Sequence, residues 1–127
     1  MSEPVHIAID PGNVHSGWLT FAINSRKLGD IDIVQYGKEL NEILKPKLDF
    51  WMYDSRPSSI LVIETPRAQG MPASNQLFET CIWVGRFIET WGEPWSYVFR
   101  DEVKLTLCCT LRACSLAPFL VPLPPCC

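Results

Sequence analysis

The sequence predicts an α/β fold with a mixed five-stranded sheet, in which three antiparallel strands are followed by two parallel strands, with flanking helices. Short apolar runs rich in β-branched residues alternate with two segments of helical periodicity over residues 1–107. The first three runs are separated by short spacers, as antiparallel neighbours are. The last two runs each follow a helical segment, and such crossovers join parallel strands.

The first three strands are predicted at residues 5–9, 17–23 and 31–36. The first runs into Asp10 and then into Pro11 and Gly12, a pair that favours a turn. A polar segment, residues 24–29, joins the second strand to the third, whose β-branched residues favour extended backbone. We expect His6 to pack or to hydrogen-bond within the sheet.

The first helix is predicted over residues 38–53, with Leu44 on its apolar face. A break is expected at Pro46, because proline lacks the N–H that a helix interior needs. Residues 60–63 are apolar on both faces, as in a central buried strand, and they lead into Glu64.

The second helix is expected to begin after Ser74, which can cap its first turn, and to end at Gly92. Its buried face is predicted to contain Leu77, Phe78, Cys81, Ile82, Gly85 and Ile88. The polar residues expected to face away are Gln76, Glu79, Arg86 and Glu89. Residues 95–100 alternate in character and are predicted as the fifth strand.

Composition excludes several classes of protein. Of the 127 residues, 47% are hydrophobic and 20% are charged, which is typical of a folded domain and not of a disordered chain. A net charge of −3 gives no general attraction to nucleic acid, so DNA binding would need a local basic patch. The sequence has neither a signal-peptide pattern nor a bilayer-spanning apolar run, and we expect a soluble protein of a reducing cytoplasm.

Five of the six cysteines lie in residues 108–127, which also hold four prolines and a single charge, Arg112. A disulfide framework spreads its cysteines through the core, and a structural zinc site uses C-x-x-C spacing; this segment fits neither. The chain therefore divides into a domain of residues 1–107 and an atypical Cys- and Pro-rich tail, residues 108–127, with no predicted structure.

Two acids follow apolar strands, Asp10 after the first and Glu64 after the fourth. If these strands are parallel neighbours about 4.8 Å apart, both side chains emerge at one edge of the sheet, where ligands usually bind. Carboxylates there can hold a divalent cation, for which Mg²⁺ or Mn²⁺ is suited. The alternative is that each acid is a solvated loop residue.

His15, in the loop after Asp10, either reaches a phosphate or shuttles a proton, or is exposed without a role.

Four segments together resemble the RuvC-type Holliday-junction resolvases, especially the small phage-like members, within the ribonuclease H-like superfamily. They are IAIDPGNVHSGW, LVIETP, NQLFETCIWVGRFIE and FRDEVKLTLC, and the resemblance covers about residues 4–108. It implies a ribonuclease H-like fold and a metal-dependent endonuclease that hydrolyses phosphodiester bonds in branched DNA such as a four-way junction. It also implies a homodimer in the cytoplasm of a bacterium or a phage-infected host.

By this resemblance, Asp10 and Glu64 match the acids at the ends of the family's first and fourth strands, and both are expected to be catalytic and metal-binding. Two Mg²⁺ ions would activate a water and stabilise the leaving 3′-oxygen. The expected DNA contacts are polar or basic side chains that can meet phosphates: Arg67, Gln69, Arg86, Arg100 and Lys104. Each of these is alternatively a solvated surface residue.

The sequence departs from the family pattern at its C-terminal end. Family members have one or two further acids on a C-terminal helix, whereas no Asp or Glu follows Glu102 here. We expect that helix to be missing, cleavage to be poor and apolar sheet surface to be exposed. A reading frame shifted near residue 108 would explain the change; an intact frame shared by close relatives would contradict that explanation.

Two other functions stay open at this point. A non-catalytic relative would bind branched DNA without cutting it, which a gel shift without cleavage would reveal. A phosphotransferase of the actin or sugar-kinase type also begins with an acid–glycine hairpin, but that architecture needs two such domains and a longer chain. Calorimetry with a nucleotide would distinguish it.

Overall fold

The structure, a computed structural model, describes residues 4–24, 26, 30–54, 59–67, 70 and 72–103. Its elements in chain order are β1 (Val5–Asp10), β2 (His15–Ile23), β3 (Ile31–Leu40), α1 (Asn41–Asp54), β4 (Leu61–Thr65), α2 (Asn75–Trp91) and β5 (Trp95–Phe99). The predicted tail lies outside the described residues. In the part of the chain that is described, no helix is long and apolar enough to cross a membrane.

The strands form one mixed sheet of five strands in the order β3-β2-β1-β4-β5. β2 is antiparallel to both β1 and β3, while β4 is parallel to β1 and to β5. This is the predicted fold class: tight connections join the antiparallel strands, and helical crossovers lead to the two parallel ones.

Both helices cover one face of the sheet, which we call the helix-covered face. The core beneath them combines inward residues of β1 and β4 with apolar residues of α1 and α2: Ile7, Ile9, Leu61, Ile63, Leu44, Leu48, Trp83, Val84, Phe87 and Trp91. Because side chains alternate along a strand, Ala8 and Asp10 of β1 lie on the opposite face. Val62 and Glu64 of β4 lie there as well.

We call the opposite face the open face. It contains a shallow apolar groove of about 650 Å³. Its apolar lining comes from all five strands and includes Ala8, Leu19, Ile33, Tyr36, Val62 and Val98. Neither α1 nor α2 packs on it, and Val103, in the short helical segment of residues 100–103, also lines it. The most exposed part is edge strand β3, where Ile33 and Tyr36 are 61% and 80% exposed. Apolar sheet surface is exposed here, while the expected loss of the C-terminal helix concerns residues outside the described part of the chain.

The boundary between β3 and α1 differs from the prediction. Residues 38–40 continue β3 instead of starting the helix, because they pair with residues 15–17 of β2. The predicted break at Pro46 is also wrong, since α1 runs through it. Leu44 and Leu48 are fully buried on either side, and their packing outweighs the loss of one N–H donor.

The ends of α2 agree with the prediction. The Ser74 hydroxyl accepts a hydrogen bond from the Leu77 N–H at 3.2 Å, which caps the first turn. Gly92 ends the helix with φ of 77°, and its N–H donates to the Ile88 carbonyl at 2.9 Å.

The predicted buried face of α2 is wrong for four of its six residues, while Leu77 and Ile88 are partly buried. The residues that it buries are Thr80, Trp83, Val84, Phe87 and Trp91. Phe78 and Ile82 are instead 59% and 55% exposed, and Cys81 and Gly85 are exposed beside them. The helix is apolar on two sides, and the side with the larger aromatic rings is buried, since each ring removes about 150–250 Å² from water.

Candidate functional site

Asp10 and Glu64 lie side by side at one end of the open face. Ile9 is paired with Ile63 in the parallel register of β1 and β4, so the next residue of each strand is a carboxylate. Both acids line a cleft of about 600 Å³. Glu64 is the more enclosed, with its side chain 17% exposed against 68% for Asp10. The fold thus brings together the two acids that the sequence predicts as metal ligands.

The loop after β1 is held by a buried hydrogen-bond network around Asn41, the first residue of α1. Its side-chain amide donates to the Gly12 carbonyl at 2.8 Å and accepts from the Ser16 hydroxyl at 2.5 Å. Its backbone N–H donates to the Val14 carbonyl at 2.8 Å. A Cβ at Gly12 would lie 2.2 Å from the His15 carbonyl oxygen, so the turn requires glycine. The sequence does not single out Asn41, because its partners meet it only in the folded chain.

Arg100 places its guanidinium against both carboxylates. Its Nε donates to Glu64 Oε1 at 2.6 Å, and its Nη2 lies 3.6 Å from Asp10 Oδ1. The same Nη2 donates to the Pro11 carbonyl at 3.4 Å. Arg100 comes directly after Phe99, which pairs with Thr65 of β4 and so fixes the arginine beside the acids. Arg100 is predicted as a DNA contact, and in this structure it is engaged by the two acids.

The surroundings of Asp10 raise the pKa of its carboxyl. Burial is the largest cause and the negative charge of Glu64 is the next, while Arg100 and Lys38 act in the opposite direction. The charge of this carboxylate is therefore only partly compensated by its neighbours. An additional cation at this point would stabilise the ionised pair.

Lys38 and His15 flank the acids on the side of β2 and β3. Asp10 of β1 pairs with Gly17 of β2, and Gly17 pairs in turn with Lys38 of β3. Because Gly17 has no side chain, the space between Asp10 and Lys38 stays open, and His15 lines the same cleft. Sequence reasoning misses Lys38 because it assigns residue 38 to a helix.

Of the other predicted DNA contacts, the two that the structure describes, Arg67 and Arg86, do not line the cleft of the acids. Arg67 lies 3.6 Å from Asp101 and 3.4 Å from Glu102 in two ion pairs. Arg86 lies on α2, on the helix-covered side, with its guanidinium 4.6 Å from the centre of the Trp83 ring. Gln69 and Lys104 lie outside the described residues. A role in DNA binding stays a prediction for each of them.

The donor set fits one hard divalent cation. Among the residues that the structure describes, no group of three or more His, Cys, Asp or Glu side chains is placed to hold a metal. The pair of Asp10 and Glu64 is sufficient for Mg²⁺, which keeps several waters and commonly binds through one or two carboxylates plus substrate phosphates. A single ion therefore fits here, provided that the Arg100 guanidinium withdraws from the carboxylate oxygens.

No protein-family model matches this chain, and no curated protein matches it. Among solved structures, RuvC of Thermus thermophilus in complex with a Holliday-junction substrate has a similar fold. It aligns with a TM-score of 0.61 and 17% identity over 83% of this chain and 68% of that one. A second structure of Thermus thermophilus RuvC aligns with a TM-score of 0.53 and 13% identity over 82% of this chain and 69% of that one. At these identities the likeness is one of fold, and it confirms the predicted mixed five-stranded α/β sheet.

Proposed function

We propose that this chain is a structure-specific DNA endonuclease of the Holliday-junction-resolvase type, which hydrolyses phosphodiester bonds in branched DNA with the help of Mg²⁺ or Mn²⁺. The observation that carries the proposal is the placement of Asp10 and Glu64 on adjacent parallel strands. The carboxyl ends of such strands are the usual ligand site in α/β sheets. The fold shared with RuvC, solved with a Holliday-junction substrate, supports DNA as the substrate.

In this proposal, Asp10 and Glu64 hold the cation. When bound, a divalent ion supplies Lewis-acid activation of the attacking water and stabilises charge that develops at the phosphate. Glu64 is the enclosed ligand and Asp10 the exposed one, so the substrate approaches from the side of Asp10. Lys38, across Gly17 from Asp10, would neutralise a phosphate on that side, and His15, which lines the same cleft, would orient it.

We expect cleavage to be slow. Chemistry with two ions requires protein ligands for both, and the described residues supply this site with two carboxylates. A second candidate function is therefore a protein that binds branched DNA without cutting it. It is favoured by Arg100, whose guanidinium already contacts both carboxylates.

A homodimer is part of the proposal. A four-way junction has two-fold related strands, and paired cuts in them require two active sites related by the same symmetry. Sedimentation of the chain alone and with a junction measures this, and a monomer under both conditions would contradict it.

A cleavage assay on an end-labelled four-way junction tests the proposed function. We expect slow cutting in Mg²⁺ or Mn²⁺, none in EDTA, and none in the Asp10→Asn and Glu64→Gln variants. The matched control is Asp49→Asn, which removes an exposed carboxylate of α1 on the helix-covered side and leaves cutting unchanged. Junction binding in metal without any cutting would favour the second candidate. Binding with no preference for the junction over a duplex would contradict both.

A further inference from the structure

In this structure, the positive charge beside the two carboxylates is the Arg100 guanidinium. It donates hydrogen bonds to Glu64 Oε1 at 2.6 Å and to the Pro11 carbonyl at 3.4 Å, and forms an ion pair with Asp10 Oδ1 at 3.6 Å. The guanidinium therefore points to the oxygens that face the cleft, and not away into solvent.

The backbone holds Arg100 in this position. β5 pairs with β4 through Glu64 and Val98 and through Thr65 and Phe99, so residue 100 leaves the sheet next to Glu64. The Phe99 N–H, one residue earlier, donates to Glu102 Oε2 at 3.1 Å, which caps the helical segment that begins at Arg100. The paired backbone thus places residue 100 beside the acids, and the side chain reaches them from there.

A divalent ion held between the two acids would compete with the guanidinium for Glu64 Oε1 and Asp10 Oδ1. Glu64 Oε1 accepts a short charge-assisted hydrogen bond from Arg100 Nε, which occupies one of its lone pairs. A metal ion at about 2.1 Å from that oxygen would leave no room for a nitrogen at hydrogen-bonding distance on the same side. The two cations also repel each other.

We propose that Arg100 is a built-in competitor of the divalent cation, so that the metal binds only as the guanidinium leaves Asp10 and Glu64. The inference rests on the proposed function, because it takes these two acids as the metal ligands. Its consequence is that the affinity for metal is set by the strength of the arginine contacts as well as by the ligands. Removal of Arg100 should strengthen metal binding, whereas removal of an ordinary metal-site residue would weaken it.

Titration of the full chain with Mn²⁺, with free Mn²⁺ measured by electron paramagnetic resonance, tests this inference. Arg100→Gln should bind Mn²⁺ about tenfold more tightly than the wild type, because a competing positive charge has been removed. Arg100→Lys, which keeps the charge but lacks the planar fork, should fall between them. Lys45→Gln, an equal loss of charge at an exposed position of α1, should match the wild type.

The outcomes separate this inference from the proposed function. Equal Mn²⁺ affinity, or weaker affinity, in Arg100→Gln and Arg100→Lys would overturn the competition while leaving the carboxylate site intact. No Mn²⁺ bound to the wild type or to either variant would overturn both. If Arg100→Gln does not fold, as judged by circular dichroism, the comparison of Arg100→Lys with the wild type decides: tighter binding supports the competition and unchanged binding overturns it.

Discussion

The two faces of the sheet are built from alternate residues of the same strands, yet they differ in almost every physical property. On the helix-covered face, Ile7 and Ile63 are 1% and 0% exposed and pack beneath both helices. On the open face, one residue further along, Ala8 and Val62 line a shallow groove that ends at the two carboxylates. One face forms the core and the other carries the two carboxylates, and neighbouring residues of a strand alternate between them.

This division explains how two acids can be held close together in a small domain. β1 and β4 carry Asp10 and Glu64. Their alternate apolar residues pack on the helix-covered face, and this packing fixes the position of both strands. A shift of one residue in register would exchange the faces and bury the carboxylates, so the core also sets the position of the site. The predictions below test this division, beginning with the largest expected effect.

The largest effect is expected from truncation of a core ring on α2. Phe87→Ala removes a fully buried side chain and should lower the free energy of unfolding by about 3–5 kcal/mol. The matched control is Phe78→Ala in the same helix, where the ring is 59% exposed and the expected change is within about 0.5 kcal/mol. Urea unfolding of both variants measures the difference. Equal losses would mean that α2 does not bury the face described above.

The next effect concerns the loop that carries the site. Asn41→Ala leaves the Ser16 hydroxyl and the Gly12 carbonyl without their buried partner, and should cost about 1–3 kcal/mol of unfolding free energy. Asn13→Ala, which loses an exposed bond of 3.3 Å to Glu79, is the control and should cost less than about 0.5 kcal/mol. A similar, small cost in both variants would show that the network does not hold the loop.

A smaller effect on stability is expected from titration of His6. This side chain lies on the open face and is hydrogen-bonded within the fold. Burial lowers its pKa from 6.5, and its Nδ1 accepts a hydrogen bond from the Ile60 N–H at 3.1 Å. Between the lowered pKa and 6.5 the unfolded chain binds more protons, so stability falls as the pH falls through this window.

Thermal melting at pH 7 and pH 5 measures the contribution of His6. The wild type should lose stability on acidification, and His6→Asn, which keeps an acceptor near the position of Nδ1 but does not titrate, should lose less. If both chains have the same pH dependence, His6 is not the group responsible.

The smallest effect has the opposite sign and belongs to Asp10. Its pKa is raised, so the folded state binds more protons than the unfolded chain just above the ordinary value of 3.8, and stability falls as the pH rises through that window. Asp10→Asn should therefore stabilise the fold at pH 7, by less than about 1 kcal/mol because the side chain is largely exposed. The gain should disappear at acid pH. Asp49→Asn is the control and should give no comparable gain in stability. If Asp10→Asn destabilised the fold, burial and the charge of Glu64 would not be what raises the pKa of Asp10.

The sequence predicts those features that depend on local pattern and chain order. The fold class and the neighbouring positions of Asp10 and Glu64 follow from apolar runs, helical crossovers and the handedness of parallel connections. The ends of α2 follow from the local chemistry of Ser74 and Gly92.

The features that the sequence does not predict depend on contacts between distant segments. The buried face of α2 is decided by which aromatic rings the sheet accepts, and both sides of the helix offer apolar residues. Lys38 joins β3 only because β2 is there to pair with it. Arg100 looks like a free surface charge until the pairing of β5 with β4 places it beside Glu64.

The central claim is that the open face, and not the helix-covered face, carries a divalent-cation site at Asp10 and Glu64. Nuclear magnetic resonance of the ¹⁵N-labelled chain during a Mn²⁺ titration tests it directly, because the paramagnetic ion broadens the amide signals nearest to it. We predict that the signals of Gly12, Gly17 and Glu64 broaden first, and that they do not do so in Asp10→Asn. Early broadening around the acidic residues of α1 instead, or the same pattern in Asp10→Asn, would contradict the account.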